Sequence, residues 1–182
     1  MLKKWLRKFN LFHLILIAVM AALGVGVKPV VSTLAHLITG PLFIPGGVVA
    51  GGIYMLFLVL AASLTRARGA GALCGLCQGL LVLVAGVAGS HGALSLVTYP
   101  LPGLAVDLAF FIFARKESNL AACCAAGMLA NLAGTLSVNF AFFSMPLIPL
   151  LLSLFAAALS GGLGGVAAHW ITKQLKRWEV LQ

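Results

Sequence analysis

The chain has 182 residues, of which 62% are hydrophobic and 8% are charged, and its formal net charge is +9. A typical soluble domain has about 25% charged residues, so a chain this poor in charge cannot cover itself with a polar surface. Its basic residues lie at the ends of apolar stretches rather than together on one soluble face, which argues against nucleic-acid binding. The composition therefore predicts an integral membrane protein.

Six apolar stretches long enough to form membrane helices follow one another along the chain, since a spanning helix needs roughly 20 apolar residues. We predict spans near residues 11–28, 46–64, 70–88, 96–114, 119–143 and 147–171. No soluble domain or low-complexity segment separates them. The predicted fold is thus an all-α integral membrane protein, a six-transmembrane-helix bundle that forms a single domain over residues 1–182.

Basic residues indicate the orientation of the bundle. Eleven of the twelve lysines and arginines precede span one, follow span six, or lie between spans two and three or four and five. In a six-span arrangement all these segments share one side, and cytoplasmic segments are rich in Lys and Arg. Both termini are therefore expected in the cytoplasm. The twelfth, Lys28, ends span one on the outer side, where we interpret it as a contact for an anionic ligand rather than a snorkelling residue.

The predicted outer loop of residues 29–45 contains three prolines and His36. It looks too irregular for one helix, because proline removes a backbone donor and crowds the preceding turn. Irregular backbone at membrane depth is tolerated where protein buries it or a cavity solvates it. We therefore expect this loop to fold back over the bundle as a lid.

Polar side chains within the spans predict a cavity in the outer half of the bundle. Asp107 is one of three acidic residues and lies in span four, where an ionisable group is by default a functional-site hypothesis. A structural bond to another helix, for example to Gln78, is the alternative. Asn131, Thr135 and Asn139 are spaced by four and share one face of span five. The predicted ligand contacts are Lys28, His36, Ser90, His91, Tyr99, Asp107, Asn131, Thr135 and Asn139.

Motifs for catalysis are not evident in the sequence. It contains no Walker-type loop, no nucleophile elbow and no metal-ligand cluster with sensible spacing. The Cys74-x-x-Cys77 pair lies in an apolar run, where small thiols are ordinary packing residues. We expect no enzymatic activity, no cofactor and no metal site.

Small residues at helical spacing allow helix backbones to approach closely. Span one has Ala18 and Ala22, span two has Gly47 and Gly51, and span six has a longer stripe that begins at Ser153. Such stripes serve packing inside a bundle or docking to another membrane protein, and the sequence leaves both readings open.

Three stretches carry a resemblance to a known family: "KPVVSTLAHLITGPLFIPGG", "GVAGSHGALSLVTYPLPGLAVDL" and "ANLAGTLSVNF". Together with the Ala18-xxx-Ala22 pair and the six spans, they resemble bacterial S components of energy-coupling factor (ECF) transporters whose substrate is unassigned. The resemblance covers nearly the whole chain.

The resemblance implies a multi-pass protein of the bacterial cell membrane that binds a vitamin or related micronutrient in an outward cavity covered by the first outer loop. Its partners would be a transmembrane scaffold subunit, contacted by Ala18 and Ala22, and two cytoplasmic ATPases. ATP hydrolysis would topple the S component and release the ligand inside.

Two other function classes stay open. A stand-alone small-solute carrier or channel would be favoured by an internal repeat, and none is convincing here. An integral-membrane enzyme or assembly factor would be favoured by an intramembrane carboxylate pair, which the sequence lacks. The substrate is also open, because Lys28 favours an anionic group whereas Asp107 favours an amine or a ring N–H.

Overall fold

The computed structural model describes residues 9–39, 46–86, 92–113 and 119–178, which are almost entirely helical. The helices are α1 (Leu11–Thr39), α2 (Gly46–Thr65), α3 (Ala70–Ala85), α4 (Ser95–Thr98), α5 (Pro100–Ile112), α6 (Leu120–Val138) and α7 (Leu147–Arg177). A 3-10 turn, Gly92–Leu94, precedes α4, and a π-helical turn, Asn139–Phe143, follows α6. The predicted all-α class is confirmed for this part of the chain.

Five helical segments are long and apolar enough to cross a membrane within the described ranges. They are Leu11–Ala35, Gly46–Thr65, Gly92–Ile112, Leu120–Phe143 and Leu147–Arg177. The predicted third span corresponds to α3, a shorter apolar helix of 16 residues. The order of the six predicted spans is therefore reproduced, with five long segments and one short one.

The first helix is longer than predicted. We expected span one to end at Lys28, but α1 runs through Pro29 to Thr39, so the prediction of an irregular loop over residues 29–39 is wrong. Proline weakens a helix by removing one donor, yet membrane helices tolerate it where neighbouring helices or local backbone adjustments satisfy the carbonyl group that it frees. The Thr33 hydroxyl also donates to the Pro29 carbonyl oxygen at 2.8 Å. Residues 40–45, the rest of the predicted lid, lie outside the described residues.

Close backbone contacts join α7 to α2 and α6. A Cβ at Gly164 would overlap the carbonyl oxygen of Gly52, and a Cβ at Gly161 would overlap that of Gly127. The Ser160 hydroxyl accepts from the Gly52 N–H at 2.9 Å and donates to the Val49 carbonyl oxygen.

The small residues of the span-six stripe are all buried: Ser153, Ala157, Gly161, Gly164, Gly165 and Ala168. In this structure the stripe therefore packs inside the bundle.

Gly164→Ala tests this close approach. The added methyl group would push α2 and α7 apart, and overpacking typically costs about 1–3 kcal/mol. We expect the thermal unfolding midpoint of the purified protein in mild detergent to fall by several degrees. Gly26→Ala is the matched control, because a Cβ there meets nothing within 4 Å. Equal midpoints for the two variants would contradict the packing described here.

Candidate functional site

A cavity of about 290 Å³ lies at one end of the bundle, among α1, α2, α3, α6 and the α4–α5 junction. Its wall is mixed, with apolar side chains such as Met55, Leu58 and Val138 between polar ones. The polar side chains that line it are Lys28, Ser32, Tyr54, Gln78, Thr98, Tyr99, Asn131 and Thr135. A concave, largely apolar site with a few convergent polar groups is typical of small-molecule binding.

Lys28 and Tyr99, both predicted site residues, meet in this cavity. The Lys28 ammonium donates to the Tyr99 hydroxyl and lies 4.6 Å from the centre of the Tyr99 ring. The Tyr54 hydroxyl donates to the backbone carbonyl oxygen of Lys28 at 3.4 Å. Three helical segments thus converge on Lys28 and position its amine at the cavity wall.

Gln78 supplies an amide deeper in the cavity. Its side chain is 6% exposed and lines the cavity. A primary amide can both donate and accept hydrogen bonds, so at this position it can bind a ligand in the cavity. Gly24 makes room for it, because a Cβ there would overlap Gln78 Nε2.

The three polar residues predicted to share one face of span five are all buried, but they have different roles. Asn131 Nδ2 donates to the carbonyl oxygens of Val48 at 3.0 Å and Ala157 at 2.9 Å, which ties α2, α6 and α7 together. Thr135 lines the cavity. Asn139 accepts from the Met145 N–H at 2.9 Å and so fixes the turn into α7, without lining the cavity.

Asp107 is placed away from the cavity, near the opposite end of the bundle. Its carboxylate accepts from the backbone N–H groups of Gly71 at 3.2 Å and Ala72 at 2.8 Å, in the first turn of α3. Unpaired N–H groups and the helix dipole make a helix N-terminus a favourable partner for a carboxylate. Asp107 therefore makes a structural contact with another helix, as the alternative interpretation of the sequence expected. Its partners are backbone N–H groups of α3 and not the side chain of Gln78.

The remaining predicted contacts are not part of the described cavity. His36 lies in the C-terminal part of α1, where only its backbone is described, and Ser90 and His91 lie outside the described residues. No group of three or more His, Cys, Asp or Glu side chains that could hold a metal ion occurs in the described part of the chain.

The sequence prediction did not include Gly24 or Ser32 in the site. Together with Lys28 they are spaced by four along α1, so they share one face of that helix, and all three line the cavity. This pattern becomes visible in the sequence once α1 is extended beyond Lys28. Tyr54 and Gln78 carry no comparable sequence signal, because their relation to Lys28 and Gly24 is tertiary.

Ala18 and Ala22 lie on the outer surface of α1. Both are exposed, as is Gly26 one turn further along. Only 22% of the residues in the most apolar stretch of α1 are buried in the bundle, which is the lowest share among the five long segments. This surface of α1 is therefore available to lipid or to another membrane protein.

Asp107→Ala tests the structural role of this carboxylate. It removes the acceptor at the start of α3, and loss of a helix cap costs about 0.5–2 kcal/mol. We expect a lower thermal unfolding midpoint and unchanged affinity of the folded protein for whatever ligand the cavity holds. An unchanged midpoint with weakened binding would instead return Asp107 to the binding site.

Comparisons with known proteins agree with this architecture. The family model described as "ABC-type cobalt transport system, permease component" matches residues 12–133, whereas no curated protein matches the chain. A solved structure, "Crystal structure of an S-component of ECF transporter", is similar with a TM-score of 0.76 at 20% identity, over 95% of this chain and 88% of that one. The resemblance found in the sequence is thus confirmed, and the chain belongs to the permease-component family of ABC-type cobalt transport systems and has the fold of an ECF S component.

Proposed function

We propose that this protein is the substrate-binding subunit of an ECF transporter and that the cavity at Lys28 and Gln78 holds a vitamin or related micronutrient. The observation that carries the proposal is the cavity itself, which is lined by α1, α2, α3, the α4–α5 junction and α6 in a chain with the S-component fold. Ligand pockets commonly range from about 300 to 1,000 Å³. A cavity near the lower limit of that range favours a small substrate.

The description of the matched family names cobalt, but the cavity favours an organic substrate over a bare metal cation. Cobalt and related metals are held by imidazole, thiolate or carboxylate ligands, and the described lining contains none of these. The ammonium of Lys28 would also repel a cation.

The charge distribution supports an outward orientation of the cavity. Arg66 and Arg68 lie between α2 and α3, and Lys173, Lys176 and Arg177 lie in the last turns of α7, all towards the end of the bundle away from the cavity. By the positive-inside rule that end is cytoplasmic, as both termini are. We place the protein in the bacterial cell membrane.

ATP hydrolysis would be supplied by partners, a transmembrane scaffold and two ATPases, because the sequence has no P-loop. The proposed scaffold contact is the small-residue face of α1, formed by Ala18, Ala22 and Gly26. Its exposure and the low burial of α1 support this role, since small residues let a second helix approach closely.

Native mass spectrometry of the protein purified in mild detergent tests the binding function. We expect one bound organic compound per chain. Thr135→Phe should abolish its retention by filling the cavity, whereas the control Leu159→Phe, at a side chain that is 71% exposed, should retain it. An empty wild-type protein, even after incubation with a vitamin mixture, would contradict the proposal and favour the carrier or assembly-factor alternatives.

Ala22→Trp tests the docking face. The bulky ring would keep a partner helix at a distance, so uptake of the bound compound by cells that also express the scaffold and the ATPases should be lost while binding persists. Ala18→Trp should behave in the same way. Ala141→Trp is the control, because Ala141 is exposed on a different segment. Uptake at the wild-type rate in both α1 variants would refute the proposed contact.

A further inference from the structure

The described lining of the cavity carries one charged side chain, the ammonium of Lys28, and no carboxylate. Asp107, on α5, lies away from the cavity and accepts from two backbone N–H groups in the first turn of α3. The other acidic residues of the sequence, Glu117 and Glu179, are outside the described residues. The described wall is therefore formally positive, which favours an anionic ligand, because charges interact strongly where water is scarce.

The surroundings of Lys28 suit an acid group in particular. An ammonium offers only donors, and the adjoining Tyr99 hydroxyl can both donate and accept. Tyr99 holds the amine from the side of α5, and Tyr54 bonds the Lys28 backbone, so the position of the charge is set before a ligand arrives. A carboxylate accepts up to four hydrogen bonds and matches this donor-rich corner.

A second polar group lies deeper. Gly24 precedes Lys28 by four residues, which corresponds to about 6 Å along the helix, and Gln78 Nε2 lies against Gly24. The Gln78 amide can donate and accept at once. It therefore suits an amide or a heteroaromatic ring edge that presents both functions, and the apolar side chains of Met55 and Leu58 flank this part of the cavity.

We propose that the substrate is a small organic acid whose carboxylate binds Lys28 and Tyr99, and whose body presents an amide or heterocyclic hydrogen-bonding edge to Gln78. This inference rests on the proposed function, since it names the substrate class of the same cavity. It also accounts for the position of Lys28, which lies at the cavity end of the bundle, whereas the other described basic residues lie towards the opposite end.

Matched acid and neutral probes test the charge requirement. We would titrate the wild-type protein with nicotinate and nicotinamide, pantothenate and panthenol, and biotin and its methyl ester, together with any compound released from the purified protein and its methyl ester. The bound compound should be an acid, and its neutral counterpart should bind about 10- to 100-fold more weakly, as expected for loss of a charged hydrogen bond.

Variants of Lys28 assign the effect to this residue. Lys28→Met should lower affinity for the acid about 10- to 100-fold and remove the preference over the neutral counterpart, whereas Lys28→Arg should keep the preference. Lys173→Met removes a positive charge on the exposed end of α7. It should change neither the affinity for the acid nor the preference for the acid over its neutral counterpart. If Lys28→Met does not fold, the comparison of acid and neutral probes on the wild-type protein decides.

Gly24→Ala tests the second contact without altering Lys28. The methyl group would displace the end of the flexible Gln78 side chain, so affinity for the acid should fall several-fold, as it should in Gln78→Leu. Gly26→Ala, where a Cβ meets nothing within 4 Å, should bind like the wild type. Unchanged affinity in both Gly24→Ala and Gln78→Leu would remove Gln78 from the recognition of the substrate.

The outcomes separate this inference from the proposed function. A bound neutral or cationic compound, or equal affinity for an acid and its neutral counterpart, would overturn the substrate class while the protein remains a binding subunit. A wild-type protein that releases no compound and binds none of the probes would overturn the proposed function, and this inference with it.

Discussion

Close contact between helix backbones is the constraint on which the rest of this structure depends. In a bilayer, burying an apolar side chain against another helix gains little over burying it in lipid, so association relies on packing and interhelical hydrogen bonds. Gly52, Gly127, Gly161 and Gly164 bring α2, α6 and α7 into backbone contact, and Asn131 links the same three helices through two carbonyl oxygens. Helices α1, α3 and α5 pack against α2 and α6 of this unit.

The cavity exists where that close packing ends. Towards the end of the bundle away from Arg66 and Arg177, larger and polar side chains such as Lys28, Tyr54 and Tyr99 line a space between the helices together with a few glycines. Asn131 belongs to both regions, since it ties three helices together and also lines the cavity. Its substitution would therefore disturb stability and binding together, which makes Lys28 and Gln78 the more informative positions for studying recognition.

Helix α1 connects the two proposed activities of the protein. One face carries Gly24, Lys28 and Ser32 into the cavity, while Ala18, Ala22 and Gly26 are exposed on another side of the same helix. A ligand that binds Lys28 thus contacts the helix that we propose to meet the scaffold. A rigid element shared by two sites is a simple physical route by which occupancy of the cavity could influence docking.

The membrane class, the order of the spans and the presence of Lys28, Tyr99 and Thr135 near a cavity could be predicted from the sequence, because hydropathy and the cost of buried polar groups are local properties of the chain. The extent of α1 could not be predicted. A proline in an apolar stretch is compatible with the end of a helix or with a helix that continues, and contacts with neighbouring helices decide between the two. The roles of Asp107, Asn131 and Asn139 were likewise decided by the tertiary structure. Whether a buried polar group bonds a neighbouring backbone or faces a cavity depends on which helices surround it, and the spacing of residues along one helix does not contain that information.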